Sequence, residues 1–196
     1  MFNVVLVEPE IPANTGNIGR TCVVTGSRLH LVGPLGFSLE EHALRRAGLG
    51  YWRSLDVTVY DSWEDFLARN DLTANDNRLH LLTKKARGTY AEARYHDGDF
   101  LVFGCESVGL PEELLTAHPT RCERIPMLTD AQSLGDASDW ASAEKQDHAA
   151  LLRQDVCGNF VDPEDYRISA LNLSNAAAIV LYEALRQTGF PGMAWT

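Results

Sequence analysis

Asn3-Val4-Val5-Leu6-Val7-Glu8-Pro9-Glu10-Ile11-Pro12-Ala13-Asn14-Thr15-Gly16-Asn17-Ile18-Gly19-Arg20 decides what kind of fold this chain makes. Residues 3–7 are a short apolar run that reads as a buried strand. The two prolines of residues 8–12 stop that strand and make a loop. Asn14 or Thr15 then caps a helix that carries Ile18, Cys22 and Thr25 and ends at Gly26. A second strand, residues 29–32, follows directly and stops at Gly33-Pro34.

The same alternation continues outward. Residues 40–46 have a helical pattern, residues 57–60 form a third strand, and Ser62 caps a helix reaching about residue 69. Residues 79–83 and 100–103 are further strands. Pro111 opens a short helix at its first position, with Glu112 and Glu113 suited to the first turn. Residues 124–127 make a sixth strand. At the end, Ala170-Leu171-Asn172-Leu173-Ser174-Asn175-Ala176-Ala177-Ala178 is a polar turn leading into a helix. Apolar residues at 173, 176, 177, 180, 181, 184 and 185 form one helical stripe. Arg186 in the last turn, Gly189 and Pro191 end it. Strands alternating with helices predict an α/β fold, a mostly parallel sheet with helices on both faces.

Residues 128–168 break the rhythm. A short loop is expected between the sixth strand and the last helix. Instead there are nine acidic residues against three basic ones (Lys145, Arg153, Arg167), with a helical pattern over residues 141–153. This acidic insertion carries a net −6 of the chain's −10, which leaves the rest at −4. The whole is expected to be a single domain, residues 1–196, bearing that insertion.

A charge of −10 disfavours a general polyanion binder but leaves room for a local basic patch, at Arg45 with Arg46 or at Lys84, Lys85 and Arg87. The four cysteines form no CxxC pair and the six histidines have no ligand spacing, so no metal site is expected. No run approaches the roughly 18 apolar residues of a membrane span. The opening residues lack a basic n-region, and a cytoplasmic location without membrane attachment is expected.

Three segments have the residue types of a ligand site. Asn14-Thr15-Gly16-Asn17-Ile18-Gly19-Arg20 brings two glycines, a capping asparagine and an arginine to a strand-to-helix turn, where backbone N–H groups can meet an anion. The same residues also make a plain helix cap beside a surface arginine. Leu101-Val102-Phe103-Gly104-Cys105-Glu106-Ser107-Val108-Gly109-Leu110-Pro111 runs from a strand end through Gly104 and Glu106 into a helix. Ligands bind at such strand ends in α/β sheets. There Gly104 allows close backbone approach, and Glu106 either meets a ligand or caps local amides. Ile125-Pro126-Met127, beside the asparagine-rich start of the last helix, offers one apolar wall and one hydrogen-bonding wall. Core packing would account for Ile125 and Met127 equally.

In order and spacing, NTGNIGR, FGCESVGLP and IPM followed by ALNLSNAAA resemble the three motifs of the SPOUT-class RNA 2′-O-methyltransferases. The opening VEPEIPANTGNIGR, with LVGPLGF at 31–37 and LRRAGLGY at 44–51, resembles the tRNA (cytidine/uridine-34-2′-O)-methyltransferase subfamily. The resemblance covers residues 1–127 and 169–192. It implies a C-terminal trefoil knot, S-adenosyl-L-methionine as cofactor, tRNA as substrate and a homodimer. By motif match, Leu82, Thr83, Gly104, Glu106, Ile125, Met127, Ala170 and Leu171 should bind the cofactor, with Arg20, Asn14 and Asn172 as the catalytic set. Arg20 would reach the partner's cofactor. With a pKa above about 12 an arginine is a poor base, so a phosphate- or alkoxide-holding role fits it better. Ala170 stands where the family carries serine, with Ser169 one step earlier. Methylation of another tRNA position or of rRNA, and a catalytically silent RNA-binding dimer, are the competing readings.

Overall fold

In the computed structural model, which describes residues 1–38, 50–127 and 170–194, seven strands form one sheet in which every pairing is parallel. They are β1 (Asn3–Val7), β2 (Arg28–Val32), β3 (Val57–Tyr60), β4 (Leu79–Leu82), β5 (Gly88–Thr89), β6 (Phe100–Phe103) and β7 (Cys122–Arg124), in the order β3-β2-β1-β6-β4-β7-β5. Among the described residues four helices accompany them: α1 (Pro12–Thr25), α2 (Trp63–Arg69), α3 (Glu112–Ala117) and α4 (Leu173–Gln187).

The pleat sends alternate residues to opposite faces. Leu29, Leu31, Leu101 and Phe103 pack with Ile18 and Cys22 of α1 and with Ala177, Val180 and Leu181 of α4. Val32, Leu79, Leu81, Phe100 and Val102 pack with Phe66 of α2 and Leu115 of α3. Helices therefore cover both faces, as expected. Double coverage is also why β1 reads as an unbroken apolar run after Asn3. Each fully buried aliphatic chain contributes roughly 2 kcal/mol.

The chain lays β2 and β3 outward on one side of β1, then crosses to build β4, β6 and β7 on the other. Open α/β sheets of this kind leave a crevice beyond the strand C-termini.

Some boundaries differ from the sequence reading. Helix α1 begins at Pro12, with Ile11 as its N-cap, so Asn14 and Thr15 are buried in the first turn and do not cap it. A proline fits the first helical position because its missing N–H would have no partner there. Pro111 is the N-cap of α3, one position before its first helical residue. The last strand is Cys122–Arg124, two residues earlier than expected, and Ile125-Pro126-Met127 follow it as loop. Pro126 has no N–H for a ladder. The two-residue β5 and a 3-10 turn at Gly50–Ser54 carry no periodic signal and were not expected. The helix at residues 40–46 with Arg45 and Arg46, the insertion with its helix at 141–153, Ser169 and the threading of a knot all lie outside the described residues.

Two buried histidines, on strands separated by β1 and β6, shift in opposite directions. Burial, reinforced by the charge of Arg28, pushes His30 on β2 down to about 4. It meets the Tyr60 hydroxyl at 2.8 Å and Asn3 Oδ1 at 3.1 Å. Burial would also lower His80 on β4, but hydrogen bonds to Asp99 and Glu123 and their charges outweigh it and raise His80 to about 9. A lowered histidine destabilises the fold as pH drops from about 6.5 toward 4. A raised one contributes fully below about 6.5 and is lost as pH climbs through 9. Urea unfolding should therefore show greatest stability near pH 6.5. His80→Gln should flatten the alkaline limb and His30→Gln the acid limb, each of which has a slope of at most about 1.4 kcal/mol per pH unit. A pH profile that neither substitution changes would refute the assignment.

Candidate active site

A cavity of 790 Å³ opens beyond the C-terminal ends of β4, β6 and β7. It is walled by five separate chain segments: the loop after β1 with the first turn of α1, the turn after β4, the loop after β6, the stretch after β7, and the start of α4. Its size suits a drug-sized or nucleoside-sized ligand. Leu82, Phe103, Leu110, Ile125, Leu171 and Leu173 supply apolar surface, and Lys84 and Lys85 line it from the basic turn.

Ten of the eleven residues singled out from sequence line this one space: Asn14, Leu82, Thr83, Gly104, Glu106, Ile125, Met127, Ala170, Leu171 and Asn172. Arg20 does not. It is exposed on α1, with its guanidinium carbon 5.1 Å from the centre of the Tyr51 ring. Burial raises the Tyr51 phenol, although the Arg20 charge and hydrogen bond oppose this. The Tyr51 hydroxyl donates to the carbonyl of Gly16, which ties the 3-10 turn to α1.

The polar residues hold the segments together. The Glu106 carboxylate accepts from the backbone N–H of Glu10 at 2.9 Å, that of Ile11 at 3.3 Å, and Asn14 Nδ2 at 2.9 Å. In return Glu10 accepts from the N–H and hydroxyl of Ser107, at 3.0 and 2.7 Å. Asn14 Oδ1 accepts from Asn172 Nδ2 at 2.9 Å. Asn172 Oδ1 accepts from the backbone N–H of Ser174 and so caps α4. A continuous chain of bonds thus runs from the β6 loop through α1 to α4. Glu106, expected to touch a ligand, is committed to three protein donors, and its visible work is to fix the loop. Charge-assisted bonds to backbone N–H groups are the strong kind.

Gly104 shows a similar change of reason. A Cβ there would lie 2.0 Å from the carbonyl carbon of Gly109 and 2.2 Å from the nitrogen of Leu110. The close approach expected at Gly104 is made by the protein's own loop, which folds back in a Cys105–Gly109 bridge. Gly109 turns that loop at φ 76. Gly19 serves packing too, since a Cβ there would sit 3.0 Å from a Leu55 methyl carbon.

Sequence reasoning passed over Glu10, Ser107 and Glu123. The first two look like ordinary loop residues until the fold places them opposite each other, 97 positions apart. Glu123 lies in a strand whose position was read two residues late.

The family model described as the SpoU rRNA Methylase family matches residues 1–135. The chain belongs to the SpoU family. Among relatives, this SpoU-family chain is 39% identical over 193 residues to a tRNA (cytidine(34)-2'-O)-methyltransferase of Escherichia coli strain K12, covering 98% of this chain and 97% of that one. A solved structure described as "Structural insights into the 2-OH methylation of C/U34 on tRNA" superimposes with a TM-score of 0.68 at 34% identity, over 96% of this chain and 97% of that chain. An AdoMet-bound rRNA methyltransferase from Sinorhizobium meliloti shares the fold, with a TM-score of 0.63 at 23% identity, over 94% of this chain and 56% of the other. The SPOUT resemblance and the parallel α/β architecture are both borne out. Among the described residues no helix is long and apolar enough to cross a membrane, and no cluster of side chains suits a metal ion.

Proposed function

We propose that this protein is an S-adenosyl-L-methionine-dependent methyltransferase acting on the ribose 2′-hydroxyl of the tRNA wobble nucleotide, cytidine or uridine 34. One observation carries the proposal: five separated segments bring their residues to one cavity, in a chain 39% identical almost end to end to a wobble-ribose methyltransferase. The cavity's apolar walls suit an adenosyl group, and its carboxylates and backbone groups suit a cationic amino-acid moiety. Bound there, S-adenosyl-L-methionine supplies an electrophilic methyl group on a sulfonium. Leu82, Thr83, Gly104, Ile125, Met127, Ala170 and Leu171 would hold it. The Glu106–Asn14–Asn172 chain keeps these walls in register, so the asparagines position groups and do not exchange protons.

The chain acts as a homodimer in this reading. Ile11, Val24, Ile179 and Tyr182 are large apolar side chains left exposed on or beside α1 and α4, which pack together. Arg20 on that face is free to enter the partner's cavity. There its fixed charge holds a phosphate or the developing alkoxide, and the hydroxyl proton passes to a phosphate oxygen or water. Lys84 and Lys85 at the cavity give a chain of net −10 a local cationic contact for RNA. A cytoplasmic setting and a single-domain chain belong to the same reading.

Purified protein given methyl-labelled cofactor and unmodified tRNA should place label on the ribose of nucleotide 34. Labelling of rRNA alone would change the substrate. Cofactor binding with no transfer to any RNA would favour the silent dimer.

A further inference from the structure

Beside the cavity lies a group of buried ionisable side chains that the reading above leaves unused. Glu123 on β7 is one of the lining residues. Its Oε1 lies 2.6 Å from His80 Nδ1, and its Oε2 accepts from the Tyr95 hydroxyl at 2.6 Å. His80 Nε2 lies 3.1 Å from Asp99 Oδ2, which also accepts from the His96 N–H at 2.7 Å. His80, Tyr95, Asp99 and Glu123 are all buried. Both ring nitrogens of His80 face carboxylate oxygens, and both can donate only when the ring is protonated. One imidazolium between two carboxylates leaves one net negative charge. Other ionisable groups stand nearby: the exposed His96 ring lies 3.7 Å from Asp99 Oδ2, Arg78 feels the charge of Asp99, and Lys84 and Lys85 line the same cavity. Glu183 on α4 is bonded to Arg186 and Gln187, and Lys85 is paired with Glu112.

We propose that Glu123 makes this cavity charge-selective. The excess negative charge of the Glu123–His80–Asp99 group favours a ligand with a cationic sulfur over the same ligand after that charge is gone. The inference rests on reading the cavity as the S-adenosyl-L-methionine site. In methyl transfer the carbon–sulfur bond breaks, its electron pair stays on sulfur, the methyl group joins the ribose oxygen, and the hydroxyl proton leaves. Donor and product therefore differ by one methyl group and one positive charge. Water would screen that difference, but a wall of buried groups does so far less. The group also ties β4 and β7 to the residue just before β6, a structural service that is blind to ligand charge. Charge selection adds a functional consequence: spent product exchanges more readily for fresh donor.

Calorimetry on the full-length protein can separate these roles with three ligands: S-adenosylmethionine, its neutral product S-adenosylhomocysteine, and sinefungin, which carries an ammonium-bearing carbon in place of the sulfonium. Wild type should bind the two cationic ligands more tightly than the product. Glu123→Gln should cut that preference by about tenfold while weakening product binding little. Tyr95→Phe removes a donor but no charge and should keep the preference. Thermal melts on each variant register the structural role. Equal weakening of all three ligands in Glu123→Gln, or product bound as tightly as sinefungin by wild type, overturns the proposal. If Glu123→Gln does not fold, the wild-type ranking decides. Wild type binding none of the three would sink the cofactor reading itself, a different result from binding all three without regard to charge.

Discussion

Gly104→Ala is expected to abolish ligand binding in the cavity and to lower the melting temperature sharply. The added methyl would meet the backbone of Gly109 and Leu110 at 2.0 to 2.2 Å, less than any pair of heavy atoms tolerates without moving. No side chain there can rotate away, because both contacts are main chain. The loop must lift, and three things change with it. The Cys105–Gly109 bridge opens, Glu106 leaves the N–H groups of Glu10 and Ile11, and Ser107 leaves Glu10. Losing several charge-assisted bonds at about 1.5–3 kcal/mol each puts the expected cost at several kcal/mol, a large share of a domain's stability. Gly50→Ala is the matched control. A Cβ there meets nothing within 4 Å, and its melting temperature and ligand binding should stay near wild type. Calorimetric titration with S-adenosylmethionine beside thermal melts checks both. A Gly104→Ala protein that melts and binds like wild type would show that the loop does not depend on this contact.

Gly104 also shows what a sequence can and cannot disclose. The strand ending at Phe103, and the need for glycine after it, were legible because apolar runs and glycines leave local marks. The reason for the glycine was not, because the atoms it avoids belong to a turn whose path is set by the pairing of Glu10 with Ser107, 97 residues away. Asn14 is a similar case. Its type and place beside a helix start suggest a cap, yet Pro12 begins the helix earlier and frees Asn14 to bridge Glu106 and Asn172. The alternation of strands and helices gave a parallel sheet correctly, since both patterns are periodic over several residues. Two-residue β5 lies below the length at which any period exists. His80, Asp99 and Glu123 come from three parts of the chain with no motif among them, and only the sheet brings them together.

Arg20→Ala should leave the fold intact and still remove methyl transfer. Arg20 is exposed, and its visible partner is the Tyr51 ring, a contact of about 0.5–1 kcal/mol at such a site. A donor aimed at charge developing in a transition state has a larger effect, about a hundredfold to a thousandfold in rate. The drop in activity should therefore far exceed any drop in stability, and cofactor binding should persist, because Arg20 is absent from the lining of its own chain's cavity. That absence yields a sharper test of where Arg20 acts. Leu171→Arg places a cation at a half-exposed position of the cavity wall, where it should exclude a cationic cofactor. Each variant alone should be inactive. In a mixed dimer, the chain with Arg20→Ala keeps an intact cavity, and the Leu171→Arg chain can supply it with an intact Arg20. Activity should return when the two are expressed together and purified through different tags. If Arg20 serves the cavity of its own chain, both sites of the mixed dimer are defective, and the mixture should stay as inactive as its parts.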